Sequence, residues 1–193
     1  MLRTMTRTSF LAVLLCSFPL GLWSQNLLQN PGFEKPANGV PPGTPVAYTD
    51  FCAEGDSAAA DWTVFVNSCG SEISTTLVPS TAPGGGKYML HVVTSGAGNG
   101  IEQAGTFSEP NTLSSISVYV NSGCIGMGTG DGGNTSDTDE MTCLTRHWIR
   151  FYQVPNDNTP STEFIVYSIP SPDGNPAADF YVDNASVVAA PAP

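Results

Sequence analysis

The clearest pattern in the chain is a two-residue alternation of apolar and polar side chains. Over Leu113 to Asn121, Ile116, Val118 and Val120 fall on one face and Ser117, Tyr119 and Asn121 on the other, the period of a half-buried strand. Lys87 to Val93 alternates likewise, with Tyr88, Leu90 and Val92 opposite Met89, His91 and Val93. Seven further segments read as strands: Asn26 to Asn30, Trp62 to Val66, Ile73 to Val78, Ile101 to Gly105, His147 to Val154, Glu163 to Ile169 and Phe180 to Val188. Turn formers such as Pro31-Gly32 and Pro83-Gly84-Gly85-Gly86 punctuate them. Residues 36–61 and 122–142 are rich in Gly, Asp and other loop formers and read as long connections. No helical period and no fixed repeat stand out. Eight or nine short strands predict an all-β chain, a jelly-roll β-sandwich of two antiparallel sheets.

The first residues break this pattern. Arg3 and Arg7 precede an apolar run from Phe10 to Trp23, which Pro19 and Gly21 interrupt. A basic start, an apolar middle and a small residue at the end describe a secretory signal peptide, with cleavage expected after Ser24. Residues 1–24 would then be removed, residues 25–188 would form one sandwich domain, and residues 189–193 would be a Pro/Ala tail. No second long apolar run follows, so no membrane span is expected in the mature chain.

Composition agrees with a secreted β domain: 20 Gly and 16 Pro in 193 residues, with only 12% charged. The formal charge is −11, and the mature chain would keep only Lys35, Lys87, Arg146 and Arg150 as bases. Such a chain has no basic footprint for nucleic acid or for an anionic membrane surface. Four cysteines would remain after cleavage: Cys52, Cys69, Cys124 and Cys143. An even number in a secreted chain predicts two disulfides, with three connectivities open. Cys52–Cys69 with Cys124–Cys143 is favoured, because each pair brackets one Gly/Asp/Ser-rich segment. There is no Cys-x-x-Cys, and His91 and His147 are the only histidines, which argues against zinc.

The opening Asn26-Leu27-Leu28-Gln29-Asn30-Pro31-Gly32-Phe33-Glu34 and the closing Phe180-Tyr181-Val182-Asp183-Asn184-Ala185-Ser186-Val187 resemble the two ends of a known group. Between them lie, in the expected order, Trp62 opening a strand, Gly86-Lys87-Tyr88-Met89-Leu90, Ile101-Glu102-Gln103, Ser117-Val118-Tyr119-Val120 and Trp148-Ile149-Arg150-Phe151. This ordered set resembles the carbohydrate-binding modules of families four, nine and twenty-two, within the galactose-binding-like jelly rolls. The resemblance implies a sugar-binding sheet face and a core role for Trp62. It also implies a structural Ca²⁺ held by Glu34 and Asp183, with carbonyl oxygens from Gly84 and Lys87. A jelly roll would set the two carboxylates side by side, and hard oxygen donors suit calcium. The acidic stretch Asp131 to Glu140 lacks the order of an EF-hand loop and reads as a solvated connection.

Catalysis is not expected. The acids sit in no recognisable glycosidase context, and neither a Gly-x-Ser-x-Gly elbow nor an α/β pattern accompanies the serines. A sugar site needs an aromatic platform with polar groups beside it. The outward faces of the predicted strands offer His91, Gln103, Tyr119, Arg150 and Tyr152, while Trp148 could serve either the core or the face. The expected function is therefore a secreted, non-catalytic protein that binds a polysaccharide or oligosaccharide. The alternative is a structural or adhesive protein that uses the same sandwich for self-assembly or other protein contacts.

Overall fold

The computed structural model describes residues 25–49, 52, 54–104, 112–130, 138–153 and 163–189. The expected signal peptide, the stretch 131–137 of the acidic segment and residues 190–193 of the expected tail lie outside the described residues. Those described form twelve strands and no helix. They are β1 (Val46–Tyr48), β2 (Glu54–Asp56), β3 (Thr63–Phe65), β4 (Ile73–Pro79), β5 (Tyr88–Thr94) and β6 (Gly100–Ala104), then β7 (Thr112–Ser122), β8 (Cys124–Gly130), β9 (Thr138–Cys143), β10 (Ile149–Gln153), β11 (Glu163–Ile169) and β12 (Ala178–Ala189).

These strands make two six-stranded antiparallel sheets, a jelly-roll β-sandwich. The first sheet runs β1-β4-β5-β12-β7-β10 and the second β2-β3-β6-β11-β8-β9. The alternation read from sequence decides the inner faces. Ile116, Val118 and Val120 of β7 are fully buried, as are Leu90 and Val92 of β5 and Phe180 and Val182 of β12. They meet Ile101, Ile125, Met127, Phe164 and Val166 from the second sheet. At one end Trp62 packs between Phe33, with ring centroids 4.8 Å apart, and Phe164, at 6.1 Å. Its indole N–H donates to the Asn30 carbonyl at 3.1 Å, so the ring is buried without stranding a polar atom. The expected core role of Trp62 is what the structure shows.

Three local expectations need correction. Asn26 to Asn30 is not a ladder strand. Leu27 N–H donates to the Val187 carbonyl at 2.8 Å, but Asn26 makes the neighbouring links through its amide, accepting from Val187 N at 3.0 Å and donating to the Ala185 carbonyl at 3.0 Å. The side chain replaces backbone pairing there. The expected loop 36–61 contains the short edge strands β1 and β2. The expected loop 122–142 contains β8 and β9. In Cys124-Ile125-Gly126-Met127-Gly128 the period is two, with Ile125 and Met127 buried in the core and glycines on the other face. Gly123 precedes it at φ 77°, where a Cβ would stand 2.1 Å from the Ala177 carbonyl oxygen. Glycine is required at that approach of the two chains.

Both expected disulfides are present, Cys52–Cys69 and Cys124–Cys143. Cys124 and Cys143 face each other directly across β8 and β9, so the second bridge staples an outer hairpin.

Candidate functional site

The outer face of the first sheet carries a row of rings. Residues opposite each other in a ladder share a face, and the register aligns Thr76 with His91, His91 with Tyr181, and Tyr181 with Tyr119. Trp148, just before β10, continues the row. His91 stacks on Tyr181 with centroids 4.3 Å apart and planes 15° from parallel. Tyr181 meets Tyr119 edge-on at 6.0 Å, and Tyr119 meets Trp148 at 6.0 Å, tilted by 60°. Four rings from three strands and one strand entry thus form a continuous ribbon across the sheet.

Polar groups fix the ribbon from both ends. Asp179 takes His91 Nε2 at 2.8 Å on one carboxylate oxygen and the Asn121 amide at 2.9 Å on the other. At the far end the Trp148 indole N–H donates to Thr81 Oγ at 3.3 Å, and Thr81 also reaches the Met89 sulfur at 4.0 Å. The segment after β4 thereby rises over one side of the ribbon. Between them is an open cleft of about 450 Å³, floored by Val78, Met89, Tyr119 and Tyr181 and rimmed by Pro79, Thr81, Asn121 and Trp148. Burial, Asp179 and Tyr119 raise the Tyr181 pKa above its ordinary value, so its hydroxyl stays protonated and able to donate.

The structure brings His91, Tyr119, Arg150 and Tyr152 to this one face and leaves Gln103 out. Gln103 lies on β6 of the other sheet and is only 7% exposed. Its amide oxygen accepts from Gln29 N–H at 2.5 Å, and its amide nitrogen donates to the Gln29 and Asp61 carbonyls at 2.8 and 2.9 Å. Gln103 is an internal splint for two non-strand segments. The reason is the period itself, since Gln103 shares the face of buried Ile101. Sequence reasoning also missed Tyr181 and Asp179, which alternation places outward beside buried Phe180 and Val182. Trp148, left open between core and face, belongs to the face.

Arg150 sits at the edge of the row, half-buried, with Nη1 donating to Ser117 Oγ at 3.1 Å and to the Asn184 carbonyl, and Nη2 donating to Ser115 Oγ at 2.5 Å. Tyr152 is 66% exposed, with its ring 6.0 Å from the guanidinium carbon.

Glu34 and Asp183 flank the turn 82–87. Asp183 is fully buried. Its Oδ2 accepts from Ser80 Oγ at 2.6 Å, and its Oδ1 accepts from Asn184 N–H at 2.7 Å. Glu34 Oε1 accepts from Tyr88 N–H at 3.2 Å. A Cβ on Gly85 would stand 2.4 Å from Asp183 Oδ2, and one on Gly86 2.1 Å from Glu34 Oε1, so both carboxylates press on adjacent positions of one glycine cradle. Burial raises the Asp183 pKa, and the nearby Glu34 adds to it. Two like charges held together suit a hard cation. Lys87 makes no contact ion pair with either of them: its ammonium lies 4.7 Å above the Tyr88 ring, near enough to Glu34 to feel its charge. The Lys87 carbonyl accepts from Ser80 N–H at 3.0 Å. Among the described residues no group of three or more His, Cys, Asp and Glu side chains could share a metal, so a cation here would need backbone oxygens as well.

No protein-family model and no curated protein matches this chain. Several solved structures are similar to it, among them carbohydrate-binding modules. A family 22 tandem from Paenibacillus barcinonensis shares 16% identity over 77% of this chain and 48% of that one, with a TM-score of 0.48. A family 11 module of a cellulosomal cellulase from Clostridium thermocellum shares 14% over 76% of this chain and 95% of that one, at 0.47. An arabinose-bound α-L-arabinofuranosidase shares 15% over 89% of this chain, at 0.49, and this chain spans only 27% of that enzyme. The architecture described above rests on the two sheets and their register, and the chemistry of the face on its own residues.

Proposed function

We propose that this is a secreted, non-catalytic carbohydrate-binding protein that holds a polysaccharide or oligosaccharide against the outer face of its first sheet. The observation that carries the reading is the ribbon His91, Tyr181, Tyr119 and Trp148 beside an open cleft of about 450 Å³. Pyranose rings present flat CH faces, which stack on such rings, while their hydroxyls meet Asp179, Asn121 and Thr81 at the margins. The rings are held by cross-strand packing and by the bonds of Asp179 and Thr81, so little side-chain entropy is lost when a ligand arrives. The two disulfides favour an oxidising, extracellular location.

Affinity electrophoresis against a panel of soluble polysaccharides tests the reading. Tyr181→Ala should weaken retention about tenfold or more, the scale of a central aromatic contact, while the melting temperature shifts by only a few degrees. Unchanged retention in this variant would remove the ribbon from the site, and no retention of the parent protein on any glycan would sink the reading.

Calcium belongs to the same proposal as a structural ion. Glu34 and Asp183, with carbonyl oxygens of Gly84 and Lys87, would hold it, and its charge would neutralise the two carboxylates and pin both ends of the chain. An ion bound only by the folded state stabilises that state by linkage. Chelator should therefore lower the melting temperature of the parent protein and leave Asp183→Asn unaffected. An identical melting curve for the parent with and without excess chelator would refute the ion.

A further inference from the structure

Trp148 closes one cleft and opens another. Beyond it lies a pocket of about 230 Å³ lined by Pro83, Ser117, Trp148, Ile149, Arg150 and Tyr152. The chemistry changes across the indole. On the ribbon side the rim offers Thr81 and Asn121, which are neutral. On the far side stands a guanidinium.

That guanidinium is incompletely compensated. Its hydrogen-bond partners, Ser115 Oγ, Ser117 Oγ, the Asn184 carbonyl and the Tyr152 hydroxyl, include no carboxylate. Among the described residues no carboxylate forms an ion pair with Arg150 within 4.0 Å. Asp183 lies near enough to be felt, but its carboxylate oxygens accept from Ser80 Oγ and Asn184 N–H and not from Arg150. Burial weakens the hold of Arg150 on its charge, and the Tyr152 hydroxyl and Asp183 partly restore it. A half-buried cation among neutral acceptors gains more from an incoming anion than a solvated one does.

The geometry also leaves the right donors. Nη1 spends both hydrogens on Ser117 and Asn184, and Nη2 spends one on Ser115. Nε–H and the second Nη2–H are left for the Tyr152 hydroxyl or for a ligand that displaces it, and donors so placed could take a carboxylate or a sulfate on two oxygens. The Tyr152 hydroxyl reaches the same cation from an exposed side chain that a ligand can displace. Ser115 and Ser117 are buried and hold the guanidinium still, so the fork is set before a ligand comes.

The negative charge of the chain, −11 overall, opposes a polyanion at long range. At physiological salt that repulsion is screened beyond about 8 Å, whereas a direct contact in a pocket is not. The local cation therefore decides.

We propose that the Arg150 pocket is a subsite for an anionic substituent, a carboxylate or a sulfate ester, on the same sugar chain whose rings lie along Tyr181, Tyr119 and Trp148. The substrate class is then an acidic polysaccharide, not an unsubstituted glucan or mannan. This rests on the carbohydrate reading of the ribbon and adds the charge of the ligand.

The test uses pairs of polymers that differ only in the anionic group: polygalacturonate against its methyl ester, and a carrageenan against its desulfated form. Affinity electrophoresis and titration calorimetry at two salt concentrations should show one acidic member binding at least about tenfold more tightly than its neutral partner. The pair that responds tells carboxylate from sulfate. Arg150→Gln should abolish the preference while retaining the weaker, ring-dependent binding of the neutral form. Should that variant melt early, Arg150→Lys keeps the charge without the fork and should lose most of the preference. Equal binding of acidic and neutral members by the parent protein, or a preference that survives both substitutions, overturns the subsite and leaves the ribbon standing. Failure of every polymer, charged or neutral, overturns both.

Discussion

Two rows of side chains, one on each outer face, follow the same period and end in opposite environments. On the first sheet the row Thr76, His91, Tyr181 and Tyr119 looks out on an open cleft. On the second sheet the corresponding row is Thr63, Glu102, Ile165 and Gly128, set by the pairing of β3, β6, β11 and β8. Here Ile165 is 1% exposed and Glu102 only 6%, although neither points into the sandwich core. Alternation therefore says which residues leave the core and nothing about what they meet outside. The two buried acids sharpen the contrast. Asp183 is bonded by Ser80 and Asn184 and lies near Arg150. Glu102 has Thr63 Oγ at 3.3 Å, and Glu54 and Glu163 push against it.

The largest expected effect breaks the comparison at Ile165. If that side chain is packed as tightly as its exposure indicates, Ile165→Ala should cost about 2–5 kcal/mol, while glycan retention stays as in the parent. For a domain of this size that is on the order of 5–15 °C in melting temperature. A shift of under a degree would mean that the second face is open like the first, and the distinction between the faces would fall.

A smaller effect is expected at Gln103. Gln103→Ala removes three part-buried hydrogen bonds, to Gln29 N–H and to the Gln29 and Asp61 carbonyls, which should cost about 1–3 kcal/mol in denaturant unfolding without any change in retention. Loss of retention at unchanged stability would return Gln103 to the binding site and contradict its inward placement.

How much of this was readable beforehand differs by residue. The inward set Leu90, Val92, Ile116, Val118 and Val120 follows from period two alone, and so does the outward turn of Tyr119. Gln103 and Tyr181 obeyed the same rule, next to Ile101 in one case and between Phe180 and Val182 in the other. The polarity of Gln103 does not separate an amide that bonds buried backbone from one that faces solvent; only its apolar neighbour two residues away, Ile101, marks its face. The strands β8 and β9 were hidden because glycines at 126 and 128 look like loop residues, while the paired Ile125 and Met127 supply the real signal. What no local pattern contains is the pairing of β12 with both β5 and β7, which brings His91, Tyr181 and Tyr119 together from residues as far apart as 91 and 181. The site is a product of topology, and only its individual faces are local.

The last expected effect tests the buried acid of the second face by pH. Burial, with Glu54 and Glu163 nearby, raises the Glu102 pKa from 4.5 to about 7. Between those values the folded chain holds a proton at this position that the unfolded chain has released. Stability from this group is therefore complete below about pH 4.5, falls as pH rises, and is lost above about pH 7. Glu102→Gln keeps the shape and removes the charge, so it should melt like the parent at pH 4.5 and a few degrees higher at pH 8. The difference between the two melting curves should grow through this window and then level off. If the parent is instead the more stable protein at pH 8, ionised Glu102 has a favourable partner on the outer face, and the covered face of the second sheet would be a polar contact instead of an apolar one.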